Sequence, residues 1–468
     1  GACLIGLCIF GIRGRTGYNP IKVSAAYFCQ DAFLNQLGVS PTFNLLTSVM
    51  DDMRPENKYL HLMDEQEAIT KAQALLNRPG DANVSPLAVY RHAAKADSVQ
   101  QRRPNVVLIM MESMSAKFMK HFGQSETLTP FLDSLYTRSI SFRNFYSAGI
   151  HTNHGLYATL YSFPAMMKRN LMKGSVIPRY SGLPTVLKEN GYYNLFFMTH
   201  EGQYDNMNAF FRTNGYDEVF SQEDYPADKV VNSFGVQDDF LYDYAIPVLN
   251  QRAATGQPFF ATLLSISNHP PYVIPPFFHP KTSEPEMQIV EYADWALRQF
   301  FEEARKQPWF DNTIFVLEGD HGKLVGDAEC ELPESYNHIP LMIYSSRIQP
   351  EEKTAFGGQV DIQPTILGLL NIDYLQNNFG VDLLKEERPC MFYTADNMVA
   401  GRNDTLLYLY NYETQQELTY DIGNGKLNAV PMDDSFLPLK EYSFSMLQSA
   451  EFLVKHGKTV NSVPFTQQ

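Results

Sequence analysis

Residues 104–113 read PNVVLIMMES, an apolar run that follows a proline and stops at Glu112. The run is too short for an ordinary helix and is rich in Val and Ile, which predicts a buried strand over Val106–Met111. Similar short runs alternate with helical patterns as far as about residue 385; they are Asn194–Thr199, Phe259–Ile266, Thr313–Leu317 and Pro340–Tyr344. This alternation predicts an α/β fold with a mostly parallel central sheet flanked by helices.

The composition excludes several classes of protein. Of 468 residues, 44% are apolar and 13% aromatic, which excludes a disordered or fibrous chain. The chain has 37 basic and 52 acidic residues, a net charge of −15 that disfavours nucleic acid as a partner. Its five cysteines are scattered and form no CxxC pair, so we expect neither a disulfide framework nor a zinc finger.

The N-terminal stretch 1–12 has no charged residue and is followed by Arg13 and Arg15. A membrane-spanning helix needs about 20 apolar residues, so this stretch alone does not cross a bilayer. One interpretation is the outer end of a transmembrane helix whose beginning is missing. The other is a signal-peptide remnant or a buried helix. We favour the first, because such dense apolar residues would otherwise need cover.

The regions outside the central sheet also have distinct patterns. Residues 16–78 have helical spacing, whereas the polar residues 80–104, which end in QQRRP, are typical of a linker. Residues 390–422 alternate with period two, which predicts a small antiparallel sheet, and Leu437–Lys455 predicts a closing helix. We therefore expect three parts: a membrane-helix end and helical linker over 1–100, a catalytic domain over 101–388 and a C-terminal subdomain over 389–468.

Acidic residues and a histidine follow two of the predicted strands. The run NTIFVLEGDHG, residues 312–322, brings Asp320 and His321 to a strand end, as PNVVLIMMES brings Glu112. Ligands of open α/β sheets bind outside the carboxyl ends of the strands, so these three side chains are expected to converge. Two carboxylates and an imidazole suit Mn²⁺, Mg²⁺ or Zn²⁺. The alternative is a dipole-stabilised Glu112 and an ordinary polar turn at GDHG, which either motif alone would favour.

A candidate nucleophile lies between these two motifs. The stretch FYSAGIHTNHGLYATL, residues 145–160, places Thr152 after a glycine turn and before a helical pattern. Backbone N–H groups at such a helix N-terminus favour a phosphate, and a hydroxyl next to a dication becomes nucleophilic at neutral pH. The alternative is that Thr152 merely caps the helix.

With these residues together, the chain resembles the lipoteichoic acid synthase and phosphoglycerol transferase family of the alkaline phosphatase/sulfatase superfamily. The resemblance covers about residues 104–385 and is carried, in order, by VVLIMMES, GIHTNHGLYATLYSFP, SNHPPY, LEGDHG and YNHIPLMIY. It implies a sulfatase-like fold and a bacterial inner-membrane enzyme whose catalytic domain is extracytoplasmic.

The resemblance also implies a reaction. Glu112, Thr152, Asp320 and His321 match residues that coordinate one Mn²⁺ or a similar ion, with Mg²⁺ and Zn²⁺ as alternatives. The hydroxyl of Thr152 would attack the phosphorus of phosphatidylglycerol, and diacylglycerol would leave. The glycerophosphoryl group would then pass to a glycan or glycerol-phosphate acceptor.

The same resemblance assigns supporting roles to two histidines. His269 matches a residue that binds the phosphoryl group or acts as general acid; alternatively, it is a turn residue before two prolines. His200 matches a second substrate-pocket histidine. The remaining candidates for substrate binding are of lower rank: His338, for which a structural role is favoured, and His151 and His154, which flank Thr152 and would offset phosphate charge if protonated.

One departure bears on the substrate. Lipoteichoic acid synthases resemble one another in an F-W-N-R stretch whose Trp and Arg help hold glycerol phosphate, and here Met207 and Ala209 stand at those positions. Since neither offers a charge, we expect single additions of a phosphoglycerol or related head group instead of polymer synthesis.

Other functions remain as alternatives. A sulfatase needs Cys or Ser in a C/S-x-P-x-R context, which the sequence after Thr152 does not supply. A phosphoethanolamine transferase usually adds disulfides and further zinc ligands that five scattered cysteines do not provide. An inactive sulfatase-like binding protein is disfavoured by the complete Glu, Thr, Asp and His set.

Overall fold

The computed structural model describes residues 2–15, 20–29, 32–54, 58–77, 89–96, 103–174, 177–423 and 425–461. The strands in these residues are β1 Tyr90–Ala93, β2 Asn105–Met111, β3 Ile140–Tyr146, β4 Tyr193–Met198, β5 Glu218–Phe220, β6 Phe259–Leu264, β7 Thr313–Gly319, β8 Leu341–Tyr344, β9 Glu351–Gly358, β10 Tyr374–Asn377, β11 Met391–Thr394, β12 Met398–Arg402, β13 Leu406–Asn411, β14 Gln416–Gly423 and β15 Lys426–Ala429.

The central sheet contains eight of these strands in the order β5-β4-β6-β2-β7-β8-β3-β9. Strand β8 runs antiparallel to both neighbours, and the other adjacent pairs are parallel. Strand β2 is fully buried and has a neighbour on each side, which explains its unbroken apolar sequence. The predicted α/β fold with a mostly parallel sheet is confirmed.

Helices cover both faces of the sheet. Those in the described residues are α1 Ala2–Arg13, α2 Ala32–Leu37, α3 Pro41–Asp52, α4 Glu65–Leu76, α5 Pro130–Tyr136, α6 Thr152–Tyr161, α7 Leu183–Glu189, α8 Met207–Thr213, α9 Asp238–Ala253, α10 Pro285–Ala304, α11 Ile362–Leu369 and α12 Leu437–Lys455. Because side chains alternate along a strand, Leu108 packs in one core with α6, α7, α8 and α11, whereas Ile109 packs in the other with α5, α9 and α10.

The C-terminal region forms the small antiparallel sheet that its period-two pattern predicts. Strands β11 to β15 follow one another as a meander. Helix α12 has the predicted bounds and packs against β11, β12 and β13 on one side and α4 on the other. The helical linker and the C-terminal subdomain therefore contact each other directly.

The described part of the N-terminal region contains helices α1 to α4, and its remaining described residues are not α-helical. The prediction of a linker over 80–104 needs correction at residues 90–93, because these form strand β1 and pair with β10. Arg91 is buried there and donates hydrogen bonds to the carbonyls of Asn378 and Gly380 at 2.8 and 3.0 Å. Residues 80–88 and 97–102 of the predicted linker lie outside the described residues. None of the described helices is both long enough and apolar enough to cross a bilayer.

Candidate active site

The candidate site lies at the carboxyl end of the central sheet. Strands β2 and β7 are neighbours, and Met111 is in register with Gly319. The next residue on each strand is Glu112 or Asp320, so the two carboxylates lie side by side, and both are buried. Their convergence was predicted from the ends of the two apolar runs.

A network of hydrogen bonds holds Glu112 in place. Its backbone N–H donates to the Ser265 hydroxyl at 3.0 Å, and the Asn268 amide donates to the Glu112 carbonyl at 3.2 Å. The Ser113 hydroxyl donates to Oε1 of Glu112 at 2.7 Å. Ser113 has a φ of 51°, a left-handed conformation that is costly for a residue with a side chain. Strained backbone of this kind is concentrated at functional sites.

Asp320 is only partly satisfied by hydrogen bonds. Its Oδ1 accepts the backbone N–H groups of Ser113 and His321 at 2.8 and 2.7 Å. Its Oδ2 is buried and makes no hydrogen bond among the described residues. Burial, followed by the nearby charge of Glu112, raises the pKa of Asp320 well above its usual range. Two buried like charges with a spare oxygen suit a bound cation.

His321 completes the cluster and has a defined orientation. Its Nδ1 lies 2.7 Å from the Gly322 carbonyl, so Nδ1 carries the proton and donates it there. Its Nε2 therefore presents a lone pair, 3.8 Å from Oε1 of Glu112 and 3.7 Å from Oδ2 of Asp320. A backbone acceptor behind the ring in this way is typical of metal-binding histidines.

Thr152 is the first residue of helix α6, and its hydroxyl lies 3.3 Å from Oε2 of Glu112. The helix can approach this closely because residue 155 is glycine: a Cβ there would lie 2.2 Å from the carbonyl oxygen of Asp320. Gln359 fixes the same approach, since its amide accepts the Ala148 N–H at 2.9 Å and donates to the Asp320 carbonyl at 2.7 Å. The hydroxyl thus lies at a helix N-terminus beside two carboxylates.

These side chains fit a hard divalent cation. Potential ligand atoms of Glu112, Asp320 and His321 all lie within 4.8 Å of one another. The donor set is two carboxylates and one imidazole, with the Thr152 hydroxyl as a further oxygen beside it. The observation that favours a bound cation at this site is Oδ2 of Asp320, which is buried and lacks a hydrogen-bond partner in the part of the chain that the structure describes.

Two further histidines follow neighbouring strands. His200 follows β4, is buried, and has its Nδ1 3.1 Å from the Glu201 carbonyl. Burial lowers its pKa, and it is close enough to Glu112 for that charge to oppose the shift. His269 follows β6, is partly exposed, and has its Nδ1 2.6 Å from the Pro270 carbonyl. In each ring the other nitrogen remains the candidate for contact with substrate.

The structure places the remaining candidate histidines in other surroundings. His151 is exposed, with Nε2 2.6 Å from Asp396 of the C-terminal subdomain. His154 is fully buried, and burial lowers its pKa to about 3, which disfavours the protonated form that would offset phosphate charge. His338 donates from Nε2 to the Arg143 carbonyl at 2.8 Å, and its ring stacks on Tyr146.

Comparison with known proteins agrees with this geometry. Residues 104–372, more than half of the chain, match the family model described as Sulfatase. The chain belongs to the sulfatase family. The predicted superfamily is thereby confirmed, and the chain is an enzyme of the alkaline phosphatase/sulfatase superfamily.

The curated relatives of this sulfatase-family chain include lipoteichoic acid synthases. Lipoteichoic acid synthase 1 of Bacillus subtilis is 25% identical over 350 residues, which are 69% of this chain and 53% of the relative. The lipoteichoic acid synthase of Staphylococcus saprophyticus is 24% identical over 367 residues, 71% of this chain and 54% of the relative. The chain thus spans about half the length of these relatives.

Solved structures of the superfamily have the same fold. A protein in the alkaline phosphatase superfamily from Vibrio parahaemolyticus has a TM-score of 0.77 at 26% identity, covering 87% of this chain and 100% of that one. The lipoteichoic acid synthase LtaP of Listeria monocytogenes has a TM-score of 0.66 at 19% identity, covering 83% and 98%. The predicted sulfatase-like fold is confirmed.

Sequence reasoning missed several residues of this sulfatase-family site. Ser113, Asn268 and Gln359 hold the carboxylates and the helix approach through the hydrogen bonds above, but as single polar residues they carry no spacing signal. Asp205, in the loop after His200, was also missed; its carboxylate accepts the amide of Asn153, the residue after Thr152, at 3.4 Å. Both Asp205 and Asn206 have positive φ, 47° and 67°, which only the backbone reveals.

Proposed function

We propose that the chain is a metal-dependent phosphoglycerol transferase that takes a glycerophosphoryl group from phosphatidylglycerol and passes it through Thr152 to a surface or periplasmic glycan. The observation that supports this most is the Thr152 hydroxyl, 3.3 Å from Glu112 at the N-terminus of α6. Lipoteichoic acid synthases among the relatives favour a phosphoglycerol donor over a sulfate ester. Mn²⁺ is the cation we propose, with Mg²⁺ and Zn²⁺ as alternatives.

The first step forms a bond between Oγ of Thr152 and phosphorus and breaks the bond from phosphorus to the diacylglycerol oxygen. When bound, a divalent cation supplies Lewis-acid chemistry by neutralising Glu112 and Asp320 and lowering the pKa of the Thr152 hydroxyl. Positive partial charge at the N-terminus of α6 stabilises the phosphoryl oxygens. The second step reverses this chemistry with an acceptor hydroxyl.

His269 is our candidate for the proton transfers. With Nδ1–H donated to the Pro270 carbonyl, Nε2 is the atom that exchanges a proton with the substrate. Thr152 reacts as the alkoxide, its proton having been lost to solvent, and His269 begins as the imidazolium, whose Nε2–H protonates the departing diacylglycerol oxygen. In the second step the now neutral Nε2 takes the proton of the acceptor hydroxyl, and Thr152 leaves as the alkoxide. His200 is proposed to contact the substrate from the neighbouring strand end.

The test is mass spectrometry of the protein after incubation with labelled phosphatidylglycerol. We expect a glycerophosphoryl adduct on the peptide that contains Thr152 and none in Thr152→Ala. A matched control is Thr137→Ala, because the Thr137 hydroxyl donates to the Ser134 carbonyl away from the site. A label on another residue, or free glycerol phosphate without an adduct, would contradict the proposed intermediate.

Met207 and Ala209 favour single additions over polymer synthesis. Neither side chain has a hydrogen-bond donor or a charge to offer a polyglycerol-phosphate chain, and both are fully buried. An assay with fluorescent phosphatidylglycerol should release diacylglycerol and yield products with one added glycerol phosphate. Products with long chains would show the acceptor proposal to be wrong.

We also propose attachment to the outer face of a bacterial inner membrane. Large apolar side chains are exposed throughout the first helices; they are Leu4, Ile5, Leu7, Ile9, Phe10, Ile12, Ile21, Phe28, Leu34, Leu37, Phe43, Leu45, Leu46, Val49, Met50 and Met53. Such a surface supports contact with lipid, and the proposed parts are then 1–100 for attachment, 101–388 for catalysis and 389–468 as an added subdomain.

Flotation with phosphatidylglycerol vesicles tests this attachment. Replacing Leu45, Leu46 and Val49 of α3 by Ser should reduce the bound fraction, because 50–65% of each side chain is exposed and available to lipid. Soluble turnover of a short-chain donor should remain. Unchanged flotation would leave α3 without a role in attachment.

A further inference from the structure

A pair of lysines lies beside the candidate nucleophile. The residue after Thr152 is Asn153, whose amide donates to Oδ2 of Asp205 at 3.4 Å. The other carboxylate oxygen of Asp205 lies 2.8 Å from Nζ of Lys173. The charges of both residues act on Lys22: burial, followed by the charge of Lys173, lowers its pKa, whereas Asp205 and Glu201 oppose the shift. Lys173 is thus paired with Asp205, and Lys22 lies within electrostatic reach of both, next to the helix that begins at Thr152.

Several contacts hold the N-terminal segment, which carries Lys22, against the loop after His200. The backbone N–H of Lys22 donates to the Gln203 side chain at 3.2 Å, and the Asn208 amide donates to the Tyr27 carbonyl at 2.8 Å. Arg15 forms an ion pair with Glu201 at 2.7 Å. The N-terminal segment thus packs on the loop that follows His200. The loop itself contains the consecutive positive-φ residues Asp205 and Asn206, and strain of this kind is retained where function requires it.

The charges of the site leave an anion to be balanced. Glu112 and Asp320 contribute two negative charges, which a divalent cation would just neutralise. A phosphodiester then adds one negative charge, and the buried Met207 and Ala209 offer none to offset it. Lys173 is half exposed and Asp205 occupies one of its three N–H donors, so its ammonium group can also donate to a ligand.

We propose that Lys22 and Lys173 form a phosphate-binding subsite beside Thr152, with one lysine contributed by the N-terminal segment and the other by the loop after α6. The subsite deepens the proposed function and rests on it for the identity of the substrate. Its ligand is a phosphate ester, which is shared by glycerol phosphate and a phospholipid head group. Because two point charges grip an anion without fixed geometry, the subsite would tolerate different head groups.

The experiment compares binding of soluble glycerol phosphate to Mn²⁺-loaded protein by calorimetry. Lys22→Gln together with Lys173→Gln should raise its dissociation constant about tenfold or more, and Lys22→Arg with Lys173→Arg should stay within about twofold. Lys168→Gln is the matched control, because Lys168 is an exposed lysine of the same loop that pairs with Glu413 at 3.1 Å. Thermal denaturation checks that every variant folds.

Turnover and vesicle binding complete the test. The double Gln variant should raise KM for short-chain phosphatidylglycerol by a similar factor and leave kcat within about twofold, because neither lysine is in the reacting set. An unchanged affinity for glycerol phosphate, or an equal loss in Lys168→Gln, would overturn the subsite. A loss confined to anionic vesicles would also overturn it, since the lysines would then serve only membrane attraction.

The outcomes separate the subsite from the proposed function. Binding of glycerol phosphate needs no turnover and can be repeated in Thr152→Ala. Lysine-dependent binding without a Thr152 adduct would support the subsite and reject the intermediate. An adduct without lysine-dependent binding would do the reverse.

Discussion

Two buried groups of charges in this molecule are built in opposite ways. In the C-terminal half, the carboxylate of Asp361 is paired with the guanidinium of Arg388, and both side chains are at most 1% exposed. Asp361 also accepts the N–H groups of Gly358 and Val381 at 2.9 Å each. Arg388 donates to the Tyr442 hydroxyl and the Phe379 carbonyl at 2.6 Å. Every charge there meets a partner of the opposite sign.

The cluster at the sheet edge has no such balance. Glu112 and Asp320 are both buried acids, and one oxygen of Asp320 makes no hydrogen bond among the described residues. A protein that needed only stability would not keep two like charges together in a low dielectric. The comparison indicates that the first group holds the fold together, whereas the second is arranged for a ligand.

Removing one charge from the site should produce the largest effect on activity. Asp320→Asn should reduce transfer from fluorescent phosphatidylglycerol by about a thousandfold or more, because it removes a charged ligand of the proposed cation. Unfolding in urea with chelator present should show unchanged or increased stability. The amide oxygen can still accept from Ser113 and His321, while the repulsion from Glu112 disappears. A large loss of stability would contradict the comparison.

Removing one charge from the balanced pair should have the opposite outcome. Arg388→Met should lower the free energy of unfolding by about 3–5 kcal/mol, because Asp361 remains buried and unpaired. Urea denaturation measures this loss. Adding Asp361→Asn should restore part of it, since the uncompensated charge is then gone. If the single variant were as stable as the wild type, the pair would not hold the fold together.

A divalent cation should stabilise the folded protein by binding at Glu112 and Asp320, and this effect should not depend on the Asp361–Arg388 pair. At Mn²⁺ concentrations about 100 times the dissociation constant, the free energy of unfolding should rise by about 2.7 kcal/mol. Thermal denaturation with Mn²⁺ or chelator measures the increment, and elemental analysis confirms bound metal. Asp320→Asn should lose the increment and Arg388→Met should keep it. No bound metal, even after Mn²⁺ is added, would reject the cation site.

The unbalanced cluster was predictable from sequence because it follows simple strand patterns. Glu112 and Asp320 end apolar runs that could only be buried strands, and parallel neighbours bring such ends together. Thr152 was predicted from its place before a helical pattern. The α/β class and the bounds of α12 followed from periodicity in the same way.

The balanced pair and the two lysines of the proposed subsite were not predictable. Arg388 and Asp361 are 27 residues apart, and only the tertiary fold decides that they meet. Lys22 and Lys173 come from segments that pack together through backbone and side-chain contacts with the loop after His200. The strand at residues 90–93 was predicted to be a linker because it contains the polar residue Arg91. Sequence does not reveal the backbone carbonyl that accepts its hydrogen bond and allows it to be buried.

Asp294 of α10 is a third kind of buried acid, which faces a helix N-terminus instead of a cation. It accepts the backbone N–H groups of Phe131 and Leu132, both at 2.9 Å, in the first turn of α5. Thr129, the residue before that helix, makes no capping bond of its own. Asp294→Ala should therefore lower the free energy of unfolding by about 1–2 kcal/mol, as the loss of a helix cap does.

The pH dependence of this cap tests whether its charge is balanced. Burial raises the pKa of Asp294 to about 7, although the two N–H groups oppose the shift. The folded chain therefore holds a proton that the unfolded chain releases near pH 4, so the contribution of Asp294 to stability falls as pH rises from about 4 to about 7. Asp294→Asn cannot titrate, and its stability relative to the wild type should rise over that window. Urea denaturation at pH 5 and pH 8 measures the difference, and other titrating groups cancel because both proteins share them. Parallel pH profiles would mean that the helix N-terminus stabilises the Asp294 carboxylate as fully as Arg388 stabilises Asp361.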